Sequence, residues 1–261
     1  MATPLISVVI PCYNHGAYVG EAVESVRTLG RSDVEIVVVD DGSNDAGTVA
    51  KMHQLEMEGV RVLRQENRGL ARARNAGISA AGAPILIPLD ADNRLRATLL
   101  EHAERVFSTK PDVGVVYGDA EYFGERGGRW DVGPFDRRRL LERNYIDACA
   151  AFRREVWEQN GGYDPDMPVW TDWDFWLGAC RRGWVFEYVP EITFEYRVRN
   201  DSMSRSIHGQ ESALVAYVVK KHASLYGEAL LDWRPGRMPL RRVARLALVL
   251  AKNRLKGCLH P

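Results

Sequence analysis

The first hundred residues alternate between two hydrophobic patterns. Ile6 to Ile10 is a short β-branched run closed by Pro11, the pattern of a strand. Tyr18, Val19, Ala22, Val23 and Val26 then recur at helical spacing. Glu35 to Val39 is nearly all apolar, as expected of a strand covered on both faces, and it stops at the turn cluster Asp40-Asp41-Gly42-Ser43. The pattern next predicts a helix over Asp45–Met57, a strand over Val60–Leu63 and an Ala/Arg-rich helix over Leu70–Ala81. A fourth strand, Ile85–Ile87, runs into Asp90-Ala91-Asp92. Strands and helices in this alternation imply an α/β fold, with a mostly parallel central sheet and helices on both faces.

Beyond about Pro111 the pattern is mixed. It predicts a strand at Val113–Tyr117, a turn at Gly124–Gly128 and a charged helix at Asp136–Arg143. Val156–Gly162 leads into a Gly-Gly-Tyr-Asp-Pro turn. Asp172–Arg182 reads as a helix, with Trp173, Trp176, Leu177 and Cys180 at i, i+3, i+4 and i+7. Short strands at Val185–Tyr188 and Thr193–Tyr196 precede helices at Glu211–Tyr226 and Leu240–Lys256. No linker divides the middle of the chain. It is read as one domain with two halves, 1–110 and 111–233, followed by a tail, 234–261.

The composition of the 261 residues, 46% hydrophobic and 27% charged, is that of a globular chain with a sizeable core, and it excludes disordered and collagen-like classes. Four scattered cysteines without a CxxC pair argue against a zinc site or a disulfide framework and point to a reducing, cytoplasmic setting. Neither a signal peptide nor an apolar run of membrane-spanning length is recognisable. The net charge of zero hides an asymmetry. Eight Lys/Arg and no Asp/Glu fall between Arg234 and Pro261, leaving the rest of the chain acidic.

Three polar clusters follow predicted strands, where open parallel sheets bind ligands: Pro11-Cys12-Tyr13-Asn14, Asp40-Asp41-Gly42-Ser43 and Asp90-Ala91-Asp92. Each taken alone also reads as an ordinary polar turn. Carboxylates gathered in one crevice repel one another unless a cation or a donor group relieves them. The Asp90/Asp92 pair fits Mg2+ or Mn2+ with a substrate diphosphate supplying the remaining oxygens. It fits equally an Asp-rich turn in which Asp92 caps a helix starting near Leu95. Tyr13 fits either stacking on a base or packing at the strand end. With neither GxGxxG nor GxxxxGK[ST] present, a dinucleotide-binding Rossmann site and a P-loop are disfavoured.

These residues form an ordered series: Ser7-Val8-Val9-Ile10-Pro11-Cys12-Tyr13-Asn14, Val38-Val39-Asp40-Asp41-Gly42-Ser43, Asn67-Arg68-Gly69-Leu70-Ala71-Arg72-Ala73-Arg74-Asn75-Ala76-Gly77 and Leu89-Asp90-Ala91-Asp92-Asn93. Phe152-Arg153-Arg154-Glu155-Val156-Trp157, Gly161-Gly162-Tyr163-Asp164, Thr171-Asp172-Trp173-Asp174-Phe175-Trp176-Leu177 and Tyr196-Arg197 continue it. The series resembles that of family 2 glycosyltransferases over roughly residues 5 to 205. The resemblance implies a GT-A (nucleotide-diphospho-sugar transferase) fold with C-terminal helices added, a donor-binding first half and an acceptor-binding second half. It implies transfer of a sugar from a nucleotide-diphosphate donor, a UDP-sugar being the first expectation, to a carbohydrate or lipid-linked acceptor, with inversion. Polysaccharide, lipopolysaccharide or another glycoconjugate would be the product.

The resemblance also carries residue roles. Pro11 and Tyr13 would line the donor base, Asp41 would accept a hydrogen bond from it and Asp40 would hold the turn. Arg74 would lie near the nucleotide, Asp90 near the ribose and Asp92 at the metal. Asp172 would be the catalytic base. Two positions depart from the family pattern: Thr171 replaces the acid that usually precedes the base, and Asn93 stands where Asp is frequent. A Gln-x-x-Arg-Trp signature of processive members is absent, which implies one sugar per encounter.

Read without the resemblance, Thr171-x-x-Asp174 is a capping box, with Asp172 in the first helical turn where the dipole lowers its pKa. His208 lies where some GT-A enzymes place a late metal ligand, and also fits a solvated loop. Trp170, Trp173 and Trp176 could form an acceptor platform, although the spacing of Trp176 is that of a core residue. Arg137, Arg138 and Arg139 read as a solvated helix face. In the tail, Arg241, Arg242, Arg245, Lys252 and Lys256 fall within an arc of roughly 100° on a helical wheel. That helix would either touch an anionic membrane peripherally, at the inner face of the cell membrane, or pack on the acidic body. No nucleic-acid partner is expected. A sugar-phosphate nucleotidyltransferase and an inactive sugar-nucleotide-binding protein are the alternatives. The former needs a Gly-rich basic loop after the first strand, and Pro11-Cys12-Tyr13-Asn14 is not one.

Overall fold

The computed structural model describes residues 3–200 and 211–231. The expected α/β alternation is present: β1 (Ile6–Cys12), α1 (Gly16–Arg27), β2 (Val34–Asp40), α2 (Ala46–Met57), β3 (Arg61–Arg64), α3 (Leu70–Ala80) and β4 (Ile85–Pro88). The first half ends with β5 (Arg94–Leu95) and α4 (Ala97–Thr109), and the second half adds β6 (Val113–Gly124), β7 (Gly128–Trp130), α5 (Arg137–Glu142), β8 (Ala151–Arg153), α6 (Arg154–Asn160), α7 (Thr171–Arg181) and β9 (Val185–Val198). Helices α8 (Glu211–Lys221) and α9 (Ala223–Leu231) close the described chain.

The strands form a single sheet in the order β3-β2-β1-β4-β8-β6-β9-β5, with β7 paired to β6. The β3-β2-β1-β4 section is parallel, whereas β8 runs antiparallel between β4 and β6. Every residue of β1 is buried, because alternate side chains enter opposite cores. Val9, Val37, Val39 and Leu86 meet α3 and α7 on one face. Ile6, Val8, Ile10, Val38 and Ile87 meet α1 and α4 on the other. Gly77 lets α3 approach the sheet, since a Cβ there would collide with the side chains of Val9 and Val39. That close approach brings the N-terminal turns of α3, and with them Arg74, over the carboxyl ends of the parallel strands.

The structure differs from the sequence expectations in several places. The two short strands after Val185 are one strand, β9, parallel to β6 and interrupted by a register shift at Gly118/Asp119. Pro190 and that shift break the hydrophobic alternation, which hides the continuity. The helix expected over Glu211–Tyr226 is two helices meeting at His222. Thr171 and Asp174 do not form a capping box. Trp170 is the N-cap of α7, in the left-handed region at φ 54°, and makes no side-chain cap hydrogen bond. Thr171 Oγ1 instead accepts from Arg74, and buried Asp174 accepts from Lys221 (2.7 Å) and His222 (2.8 Å), fastening α7 to α8. Asp92 does not cap α4 either, because α4 begins at Ala97 with Arg96 as its N-cap. The Arg137–Arg139 face is not simply solvated: Arg137 pairs with Glu228, and Arg139 lies over the Tyr145 ring at 3.9 Å and donates to the Val132 carbonyl. His208 and the 234–261 tail lie outside the described residues. Among the described residues, no helix is long and apolar enough to cross a membrane.

Candidate functional site

The carboxyl ends of β1, β2 and β4 carry the three polar clusters, side by side because the strands are neighbours. Pro11 is buried within β1, and Tyr13 just beyond it is 41% exposed. Asn14, at φ 54°, joins the first cluster to the second: its Oδ1 accepts from Asn44 N (2.9 Å), and its backbone N donates to Ser43 Oγ (3.0 Å). Asp40 Oδ1 accepts from Ser43 N at 3.0 Å, closing that turn. Buried Asp41 accepts from Gln65 Nε2 (2.6 Å), Arg68 N (2.9 Å) and Gly69 N (2.8 Å). Three donors nearly fill a carboxylate, so Asp41 anchors the loop leading into α3 and keeps room for about one further donor.

Arg74 is the hub of the site. It is 1% exposed, donates through Nη2 to Asp90 Oδ1 (2.7 Å) and through Nη1 to Thr171 Oγ1 (2.7 Å), and lies 5.4 Å from the centre of the Tyr163 ring. Its Nε has no hydrogen-bond partner among the described residues. A buried guanidinium needs anionic compensation, and Asp90, with Asp172 nearby, supplies it and holds Arg74 charged. The departure at Thr171 therefore has a structural role, since its hydroxyl satisfies Arg74. Asn93 has one as well: buried, it accepts from Arg197 N at 3.0 Å and pins β9 to the turn.

Asp92 sits on that turn with its carboxyl mostly buried. Burial and the neighbouring Asp90 push its pKa up, while Arg199 and His15 oppose the shift. Arg199 Nη1 lies 3.3 Å from Asp92 Oδ2, and Arg197 Nε donates to the Asp92 carbonyl at 2.9 Å. Among the described residues, no three His, Cys, Asp or Glu side chains gather in a way that could hold a metal ion. A single carboxylate suits a hard cation only when a ligand supplies further oxygens, so the residues fit a cation jointly with a diphosphate.

Asp172 lies in the first turn of α7, where the dipole was expected to lower its pKa. The shift is upward instead: burial outweighs the opposing influence of Arg74 and of Asn144, whose Nδ2 donates to Asp172 Oδ2 at 2.8 Å. A half-buried carboxylate of raised pKa is a stronger base than an exposed one. Of the candidate aromatic platform, Trp173 and Trp176 are core residues that donate to the Leu140 and Ile146 carbonyls. Only Trp170 stays partly open.

Sequence reasoning missed four polar residues here: Asn144, Asp147, Tyr163 and Arg199. Asp147 accepts from Cys149 N at 2.8 Å, and burial followed by Asp90 and Asp172 pushes its pKa up to about 8. Asn144 Oδ1 and the buried Tyr163 hydroxyl lack hydrogen-bond partners among the described residues. Asn144 and Asp147 lie in the aperiodic segment 143–150, which carries no pattern to mark them. Tyr163 sits inside a turn motif and Arg199 beyond the last quoted motif.

Comparisons with known proteins bear on the same region. The family model described as Glycosyl transferase family 2 matches residues 7–161. Glycosyltransferase GlyG of Streptococcus pneumoniae is 37% identical over 128 residues, which span 48% of this chain and 42% of that protein. The chain thus spans less than half the length of that curated relative. Among solved structures, Staphylococcus aureus TarS 1–349 in complex with UDP-GlcNAc superposes with a TM-score of 0.70 at 16% identity, covering 95% of this chain and 71% of that one. The mannosyltransferase PcManGT from Pyrobaculum calidifontis, in complex with GDP-Man and Mn2+, gives 0.59 at 18% identity, covering 99% and 88%. The structural likenesses establish a GT-A fold. The family model covers more than half of the residues and takes in the Arg74, Asp90 and Asp92 positions, and the chain belongs to glycosyl transferase family 2.

Proposed function

We propose that this chain moves a single sugar from a nucleotide-diphosphate donor to a hydroxyl acceptor with inversion at the anomeric carbon. One observation carries this reading: Arg74 ties the Asp90 turn of the first half to the start of α7, beside Asp172 of the second half. A donor laid across the β1, β2 and β4 ends would therefore present its anomeric carbon near a carboxylate of raised basicity. The donor half is residues 1–110 and the acceptor half 111–233. Tyr13 and Pro11 meet the base, Asp41 frames its pocket, and Arg74 with Asp90 faces the ribose and phosphates.

Asp172 takes the proton of the acceptor hydroxyl as that oxygen attacks the anomeric carbon. The bond from that carbon to the diphosphate breaks, and the nucleoside diphosphate leaves with the electron pair. Asp92 is the residue that would hold Mg2+ or Mn2+ together with the donor, and such a cation would supply charge neutralisation for the leaving diphosphate. Asn144 orients Asp172 through its hydrogen bond. TarS complexes with UDP-GlcNAc and the PcManGT complex with GDP-Man and Mn2+ support a nucleotide-sugar donor, and a UDP-sugar is the first to test. The acceptor is a carbohydrate or a lipid-linked carbohydrate of the kind assembled into polysaccharide or lipopolysaccharide. The test is Asp172→Asn: transfer is lost while UDP or GDP binding, read by thermal shift, stays within a few-fold. Undiminished turnover in that variant would reject the assignment.

A further inference from the structure

The Asp90/Asp92 turn carries two carboxylates, and each already has an arginine. Arg74 holds Asp90 at 2.7 Å, and Arg199, its side chain only 9% exposed, stands 3.3 Å from Asp92. The repulsion between the acids, which argued for a cation, is thus relieved in part by the chain itself. Arg199 follows β9 beside Tyr18, with its guanidinium 4.8 Å from that ring, and its Nη2 lies 3.2 Å from Nε2 of His15, the N-cap of α1. Arg197, by contrast, spends its donors on Glu21 and on the Asp92 carbonyl, and serves the frame.

We propose that Arg199 is the resident counter-ion of Asp92 and a binding residue for the donor diphosphate. It holds Asp92 in the free enzyme, turns to the diphosphate oxygens when the donor arrives, and so admits a divalent cation only together with a nucleotide. This rests on the donor reading above and extends it. A dication approaching Asp92 alone meets a turn whose two acids are partly compensated and a guanidinium of like sign. A diphosphate reverses that balance, bringing several negative charges and planar oxygen pairs that a guanidinium grips well.

The test uses the full chain, Mn2+ titrated without nucleotide by electron paramagnetic resonance, and UDP and GDP titrated calorimetrically in EDTA or Mn2+. The wild type is expected to bind a nucleotide in EDTA and to bind Mn2+ alone only weakly. Arg199→Ala is expected to weaken nucleotide binding in EDTA about 10-fold or more and to strengthen binding of Mn2+ alone about 10-fold. Arg199→Gln repeats the test should the alanine variant fold poorly, and Arg199→Lys should retain most of the wild-type pattern. Tight Mn2+ binding by the wild type without nucleotide, with both titrations unchanged in Arg199→Ala and Arg199→Gln, would overturn the proposal. Absence of UDP and GDP binding under every condition would instead overturn the donor reading itself.

Discussion

The two halves of the cleft handle their polar groups in opposite ways. On the donor side most acids are engaged by the chain: Asp41 takes three donors, Asp40 closes its turn, and Asp45 caps α2 through Gly47 N and Thr48 N, while Asp92, of raised pKa, and Arg74 Nε, without a partner among the described residues, are the exceptions. On the acceptor side Asn144 Oδ1 and the Tyr163 hydroxyl go without protein partners among the described residues, and Asp147 and Asp172 have raised pKa values. Buried polar groups are normally satisfied, so a cluster of exceptions beside a cleft marks where a ligand or water completes the bonding. The donor side is therefore a prebuilt frame. The acceptor side keeps its hydrogen-bonding capacity for the substrate.

This contrast sets the order of expected effects. Asp172→Asn should lower kcat by about 10³-fold or more with little change in nucleotide binding, since removing a general base acts on the transition state. Asp41→Ala should act through the frame, leaving three donors without an acceptor. A stability loss of about 2–4 kcal/mol is expected by urea denaturation, and an acceptor-side polar substitution should cost far less. If Asp41→Ala were neutral in stability, the frame interpretation would fail.

Asp147→Asn should leave the acid limb of kcat/KM in place. Burial pushes the Asp147 pKa up to about 8, so its carboxyl is neutral where Asp172 titrates, and its replacement should alter the profile only above about pH 8. The same variant tests linkage. A carboxyl whose folded pKa is near 8, against an ordinary 3.8, binds a proton in the folded state that the unfolded chain has lost. Stability therefore falls as pH rises from about 4 towards 8, and Asp147→Asn should raise Tm more at pH 8.5 than at pH 5, by about 2–4 °C. An equal Tm change at both pH values would contradict the raised pKa. The smallest effect is expected of Tyr13→Ala, a loss of about 3–10-fold in nucleotide binding with little change in Tm, since the residue is 41% exposed.

The sequence made the donor half legible because local physics decides it. The apolar runs of β1, β2 and β4 needed burial on both faces, and Asp45 stands where a helix N-cap belongs. The acceptor half was legible only in pieces. Strands β7 and β8 hold three residues each, too few for any period to register. The Thr171-x-x-Asp174 pattern obeyed a local capping rule, but tertiary demands from Arg74, Lys221 and His222 outweighed it. The pKa direction of Asp172 failed for the same reason. A helix dipole is a local property readable from the chain, whereas burial among Asn144, Asp147 and Tyr163 is assembled from distant segments.

The most direct test is a crystal structure of the protein soaked with UDP and with GDP, each with Mn2+. A diphosphate is expected between Asp92, Arg199 and the Arg74–Asp90 pair, with the carboxyl of Asp172 facing the space beyond its terminal phosphate. A nucleotide seated elsewhere, or one with Asp172 turned to a separate surface, would contradict this arrangement.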